Sequence, residues 1–138
     1  MIEKNVFLPL PPAEAFALFT ERISEWWPES HRPSKDPRSE VRIVPLGRFR
    51  ERTADGREFD LGLVRAWEPP VLLELDFYLG TDREHPTSVT VRFTPEGEGT
   101  RVVVEHRPTA ASESLWELRA PRYQSSWDAV LGALIHYS

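Results

Sequence analysis

Through the middle of the chain, apolar and polar residues alternate with a period of two, which is typical of strands that bury one face. The pattern extends from Val41 to His106 and is broken by turn signals. The clearest of these is the Asp55-Gly56 dipeptide, because both residue types tolerate positive φ in a tight hairpin. A short extended segment, residues 3–8, comes before it. The pattern predicts an antiparallel sheet with one covered face and one face in water.

Two other segments carry apolar residues at helical spacing. The first begins at Pro12, whose fixed φ suits the first residue of a helix, and is expected to end near Pro28 as one helix or a helix pair. Polar, proline-containing residues 29–40 are predicted to form a loop. The second segment has a broad apolar stripe from Tyr123 to Leu134, which predicts a C-terminal helix with one buried face.

The start of the C-terminal helix has more than one solution. Ser114 and Glu117 have the spacing of a capping box. Pro121 favours instead a start near Ala120, with the proline in the first turn, or a kink in a longer helix. In each case the order is strand, helix, long antiparallel meander and terminal helix. Residues 1–138 are therefore predicted to form a single α+β domain.

Short motifs follow one another along nearly the whole chain. The central ones are Pro45–Glu51, Asp55-Gly56, Gly62 with Val64, and Ala66–Pro70. The flanking ones are Phe16, Trp26-Trp27-Pro28, Ser88–Phe93, Gly99–Val102, Glu105-His106-Arg107, Tyr123, Trp127 and Val130-Leu131. In this order they resemble the START-like (SRPBCC) superfamily, and most of all its branch of homologues of the activator of the heat-shock-protein-90 ATPase.

The resemblance implies the helix-grip fold. In that fold a curved antiparallel sheet wraps around a long C-terminal helix, two short helices follow the first strand, and a cavity lies between sheet and helix. The superfamily includes ligand carriers, cyclases, hydroxylase subunits and co-chaperone domains, so the likeness is specific for fold and not for function. This chain departs from the family at the double glycine before the third strand, where it has Leu46-Gly47.

Composition excludes several classes of function. The net charge is −5, which argues against a nucleic-acid binder that neutralises phosphates, and there is no cysteine for disulfides or thiolate sites. The 4 histidines are far apart in the sequence, so neither a metal nor a cofactor is expected. No run of apolar residues is long enough for a membrane span, and the N-terminus lacks the features of a signal peptide. The expected location is the cytoplasm.

Two polar residues share a strand face with buried apolar ones. Glu51 has the same parity as Phe49, and His106 has the same parity as Val102 and Val104. In an apolar cavity these groups could orient a polar part of a ligand or transfer a proton. The alternative is structural, with both groups hydrogen-bonded to backbone or reaching water at strand ends.

Aromatic side chains are the second candidate feature, because they offer large apolar surfaces with few rotamers. Trp26 and Trp27 could form part of a lid, while Phe77 and Trp127 could belong to a pocket wall or to the core. The candidate ligand-binding residues are Trp26, Trp27, Glu51, Leu75, Phe77, His106, Tyr123 and Trp127.

Three functions fit these features. The favoured one is a module that binds a small apolar or aromatic molecule in the cavity. The second is an enzyme of the cyclase or hydrolase type, which would need Glu51 and His106 to face each other or a common ligand atom across the cavity. The third, suggested by the family name, is a chaperone-associated interaction domain, which would need an exposed apolar patch. A homodimer is a further hypothesis.

Overall fold

The computed structural model describes residues 1–138 as seven strands and two α-helices. The elements are β1 (Ile2–Leu8), α1 (Pro12–Phe19), β2 (Glu40–Ile43), β3 (Arg48–Arg52), β4 (Glu58–Glu68), β5 (Leu72–Phe77), β6 (Thr87–Glu96), β7 (Gly99–Pro108) and α2 (Glu113–Tyr137). Two single 3₁₀ turns, Ile23–Glu25 and Glu29–His31, lie between α1 and β2. This arrangement confirms the predicted α+β helix-grip fold.

All seven strands form one antiparallel sheet in the order β1-β7-β6-β5-β4-β3-β2. The first strand pairs with the last, while the other strands follow in sequence as a meander. The register shifts between Phe49 and Arg50 in β3 and between Val64 and Ala66 in β4. Such irregularities bend a strand and increase its twist, so they help the sheet curve around the helix.

Helix α1 begins at Pro12, as predicted, and covers part of β6 and β7. Its last turn is closed by Thr20, whose hydroxyl donates to the carbonyl of Phe16 at 2.6 Å. The ring of Phe16 packs edge-on against Phe93 and Trp67, with centroids 5.0 and 5.3 Å apart. Burial of these aromatic surfaces fixes the helix on the sheet.

Helix α2 is one helix of 25 residues with Pro121 inside it. Of the alternatives, the capping box at Ser114 and the start near Ala120 are both wrong, because the helix begins at Glu113 and Ser112 is the residue that precedes it. The hydroxyl of Ser112 accepts from the amide of Thr109 at 2.9 Å and donates to the carbonyl of Pro86 at 2.8 Å. The helix start is therefore anchored to the loop before β6. Neither helix is long and apolar enough to cross a membrane.

The Leu46-Gly47 dipeptide, which stands where the family has a double glycine, lies in the turn between β2 and β3. Leu46 has φ = 54°, in the left-handed region that favours glycine, and its side chain is 70% exposed. The bulge at Phe49 is nevertheless present. The turn is therefore formed even though leucine is disfavoured in this backbone conformation.

A cleft beside the middle of the C-terminal helix

A cleft of about 250 Å³ lies between α2, the end of β5 and the loop that follows Trp26. Its apolar wall includes four aromatic residues, Trp27, Phe77, Tyr123 and Trp127. The rim is polar and comes mainly from residues 30–35 and from α2. An aromatic wall with a few polar groups at the mouth is typical of sites that bind small organic molecules.

The aromatic wall continues into the core of the sheet. Phe77 stacks on Trp127 with ring centroids 5.9 Å apart and on Phe49 at 6.5 Å. Trp27 contacts Phe49 edge-on at 5.5 Å. These rings are buried and pack against one another, so the wall is formed without a ligand.

The loop after β5 closes against Tyr123. The Tyr123 hydroxyl donates to the carbonyl of Leu79 at 3.0 Å, and burial raises the pKa of this phenol. Gly80 has φ = +77°, and a Cβ there would lie 3.0 Å from Cε1 of Tyr123. A glycine at this position therefore allows both the turn and the close approach of the loop to the ring.

His106 lies behind the wall and orients Trp127. Its Nδ1 accepts from the indole N–H of Trp127 at 2.9 Å, so its proton is on Nε2, which faces the hydroxyl oxygen of Thr87 at 2.7 Å. Thr87 in turn donates to the carbonyl of Phe77. Burial, with a smaller effect of the N-terminal ammonium, lowers the pKa of His106 to about 3. The imidazole is therefore neutral around pH 7, with both nitrogens engaged by the protein.

Glu51 is also fully buried, and its partners come from the loop before β2. It accepts from the amide of Ser34 at 3.0 Å and from the hydroxyls of Ser34 and Ser39. Arg32 is buried nearby and donates to the carbonyls of Trp27 and Ser39 and to the Ser39 hydroxyl. Burial lowers the pKa of Arg32, and the charge of Glu51 opposes that shift. This buried network fixes the loop that forms one side of the cleft.

The other two predicted site residues lie in the core. The indole N–H of Trp26 donates to the carbonyl of Leu18 at 2.8 Å, and its ring packs against Phe19. Leu75 is buried in the central strand β5. The predicted set therefore divides into four residues that line the cleft (Trp27, Phe77, Tyr123 and Trp127) and four that lie outside its lining (Trp26, Glu51, Leu75 and His106).

Sequence reasoning missed the polar side of the cleft. Arg122 and Ser126 line it, each one residue before an aromatic of the α2 stripe. Helical periodicity places such residues at the edge of the buried face, so a search of the stripe's flanks could have found them. The loop residues Arg32 and Lys35 carried no comparable signal, since they lie in an irregular segment without periodicity.

Comparison with known proteins identifies the family. Residues 9–137 match the family described as "Activator of Hsp90 ATPase homolog 1-like protein". The chain belongs to this family. The match covers nearly the whole chain, so it confirms the resemblance found in the motifs. No curated protein matches the sequence significantly.

Solved structures with a similar fold include the following three proteins. The Aha1 dimer of Colwellia psychrerythraea is 12% identical with a TM-score of 0.67, covering 97% of this chain and 92% of that one. A protein of Rhodobacter sphaeroides is 20% identical with a TM-score of 0.70, covering 98% and 89%. CalU16 of Micromonospora echinospora is 19% identical with a TM-score of 0.64, covering 96% and 71%. At these identities the likeness establishes the shared fold alone.

Proposed function

We propose that this member of the Hsp90-ATPase-activator-like family binds a small apolar or aromatic molecule in the cleft beside α2. The observation that supports this is the cleft itself, with aromatic rings on its wall and one side open to solvent. Trp127 and Phe77 form a stacked aromatic pair in this wall, and aromatic rings pack favourably against a flat ring. The cytoplasm is the compartment we propose for this role.

The size of the cleft limits the ligand. A volume of about 250 Å³ is just below the roughly 300–1,000 Å³ of pockets for drug-sized molecules. One or two fused rings fit this space. Burying about 400 Å² of apolar surface contributes roughly 10 kcal/mol, and association costs at least about 4 kcal/mol, so affinities in the range of tens of micromolar are expected.

Proton-transfer chemistry by Glu51 and His106 is less well supported. Both ring nitrogens of His106 are engaged by Trp127 and Thr87, and Glu51 accepts three hydrogen bonds from the loop. Neither residue lines the cleft, so neither contacts a ligand bound there. These contacts support a structural role for both groups.

A chaperone-associated interaction role is the alternative that the family name suggests. It would require an apolar docking surface. The large exposed apolar residues come from β1, from the turns before β3 and β5, and from both ends of α2, namely Met1, Phe7, Leu46, Val71, Leu118, Ile135 and Tyr137. Two of them, Phe7 and Tyr137, lie under the guanidinium groups of Arg101 and Arg22, so the cleft is the site that we favour.

A pair of serine variants on α2 tests the proposal. Ser126 lines the cleft, whereas Ser125 is exposed, so Ser126→Phe fills the cleft and Ser125→Phe is the matched control. The measurement is thermal shift against a library of aromatic acids, flavonoids and lipids, followed by titration of the hits. We expect hits that bind wild type and Ser125→Phe and are lost in Ser126→Phe.

A library without such hits, or hits that bind Ser126→Phe as well as wild type, would overturn the proposal. Direct truncation of Trp127 is less informative, since loss of a buried tryptophan costs about 3–5 kcal/mol of stability by itself. Light scattering on the same samples tests the homodimer hypothesis, because a dimer doubles the measured mass.

A further inference from the structure

Positive charge collects around the cleft of a protein that is acidic as a whole. The net charge is −5, yet none of the 14 residues that line the cleft is Asp or Glu. Arg32, Lys35 and Arg122 are among them. An adjoining cleft of about 340 Å³ shares Arg122 and Tyr123 and adds Arg119, again without an acidic residue. The α2 side of the mouth is therefore positive, whereas a third cleft, which shares Pro33, Leu79 and Gly80 with the first, has Glu58, Asp60 and Asp82 in its lining.

Salt bridges distinguish these cations from the others. Elsewhere most basic side chains pair with a carboxylate, as Arg48 does with Asp60 at 2.6 Å and Arg65 with Asp76 at 2.7 Å. The basic residues that form no salt bridge are Arg32, Lys35, Arg38, Arg42, Arg119 and Arg122. Most of this set borders the two clefts, so positive charge there is left without an internal partner.

The hydrogen bonds of the cations beside the two clefts show which of them are available to a ligand. Arg32 donates to backbone carbonyls and Ser39 and is compensated by buried Glu51, so it is part of the scaffold. The Lys35 ammonium donates to one carbonyl, which leaves protons for another acceptor. The Nε of Arg119 is buried and has no hydrogen-bond partner. A buried donor without a partner costs stability, and a ligand oxygen or a water that reaches it removes that cost.

We infer that the ligand of this cleft is an organic anion with a flat apolar body, such as an aromatic carboxylate. This inference rests on the proposed function. The ring lies against Trp127 and Phe77, and the anionic group faces the mouth. There Arg122 offers a planar guanidinium that matches a carboxylate, and Lys35 and Arg119 add positive charge.

Isothermal titration with two probes of the same shape tests the inference: 2-naphthoate, which is anionic, and 2-naphthamide, which is neutral. We expect wild type to bind the anion about tenfold more tightly, the difference that one charge-assisted hydrogen bond produces. Arg122→Gln should remove this preference and leave the affinity for 2-naphthamide unchanged. Arg42→Gln is the matched control, since Arg42 is an exposed arginine on β2 without a salt bridge, and it should keep the preference.

The outcomes separate this inference from the proposed function. Equal binding of both probes, lost in Ser126→Phe, would overturn the preference for anions and leave the aromatic-ligand function intact. The same conclusion follows if neither naphthalene binds and the library hits that Ser126→Phe abolishes are neutral molecules. A preference that survives Arg122→Gln, Lys35→Gln and Arg119→Gln in combination would overturn the assignment of these cations. Failure of every probe and every library compound would overturn both proposals.

Discussion

The hydroxyl of Ser39 contacts both Arg32 and Glu51, two groups of opposite charge that the fold buries. Arg32 also binds the carbonyls of Trp27 and Ser24, and Glu51 also binds Ser34. One network therefore holds the start and the end of the loop that borders the cleft. Buried charges are tolerated when they are compensated and hydrogen-bonded, and here the Ser39 hydroxyl bridges the two groups, which form no direct salt bridge.

Removing the negative charge should release this loop. Glu51→Gln keeps the size of the side chain but leaves Arg32 without its compensating charge, and the amide cannot accept from Ser34 and Ser39 as the carboxylate does. We expect the free energy of unfolding to fall by about 2–4 kcal/mol in urea titration, with faster proteolysis within residues 29–39.

Glu58→Gln is the matched control for this change. Glu58 pairs with Arg48 and Arg52 on the solvent face of the sheet, where salt bridges contribute little. If both variants changed stability equally, the network around Glu51 would have no special role.

Stability should depend on pH through His106. Its pKa is about 3 in the folded protein against about 6.5 in an unfolded chain, so between these values the unfolded chain binds more protons. Stability is therefore full above pH 6.5 and falls as the pH drops towards 3, by roughly 1 kcal/mol per pH unit. Urea unfolding at a series of pH values measures this slope.

His106→Gln should reduce the slope in that range, whereas His136→Gln, at an exposed position, should keep it. His31, whose pKa burial also lowers, contributes in the same direction and is present in both variants. A wild-type slope that persists in His106→Gln would contradict the assignment of a neutral, buried imidazole.

Leu46 should be a site where stability can be gained. A left-handed leucine costs about 1–2 kcal/mol, whereas asparagine tolerates this conformation, and little burial is lost at a side chain that is 70% exposed. We expect Leu46→Asn to raise the free energy of unfolding by about 0.5–1 kcal/mol. The same substitution at Leu118, which is 81% exposed but helical, should lower it slightly. Thermal melts of the two variants should therefore shift in opposite directions.

Gly80 should be more sensitive to a methyl group than Gly56. Both have positive φ, +77° and +88°, so alanine is strained at either position. At Gly56 nothing lies within 4 Å of the added Cβ, whereas at Gly80 the Cβ meets the ring of Tyr123. We expect Gly56→Ala to cost about 1 kcal/mol and Gly80→Ala clearly more. Equal losses in thermal or urea unfolding would mean that the loop moves away from Tyr123 without cost.

The strands could be predicted from local pattern because burial in a sheet repeats every second residue. Val89, Val91 and Phe93 are buried as their parity requires, and the turn at Asp55-Gly56 lies where the dipeptide predicts it. The start of α2 could not be predicted in this way. Ser112 lies next to the helix because of contacts with Thr109 and Pro86, and the last of these is distant in the sequence.

The residues in and around the cleft could also be predicted only in part. Periodicity indicated that Phe77, Tyr123 and Trp127 face the space between sheet and helix, and these residues line the cleft. The inward direction of Glu51 and His106 was also predicted, and both are fully buried. Their partners could not be predicted, because hydrogen bonds to Ser34, Ser39, Thr87 and Trp127 join segments that are far apart in the sequence.

By itself, then, the sequence determined the strands, the buried faces of strands and helices, and the family, since all three depend on residue types at short spacings. Only the tertiary structure decided which buried polar groups are engaged by the protein and which cations remain unpaired around Trp127. The physical reason is that hydrogen bonds and ion pairs depend on distances of a few ångströms between segments. The periodic pattern of one strand or helix specifies which face is buried, but it does not specify which residues of other segments contact that face.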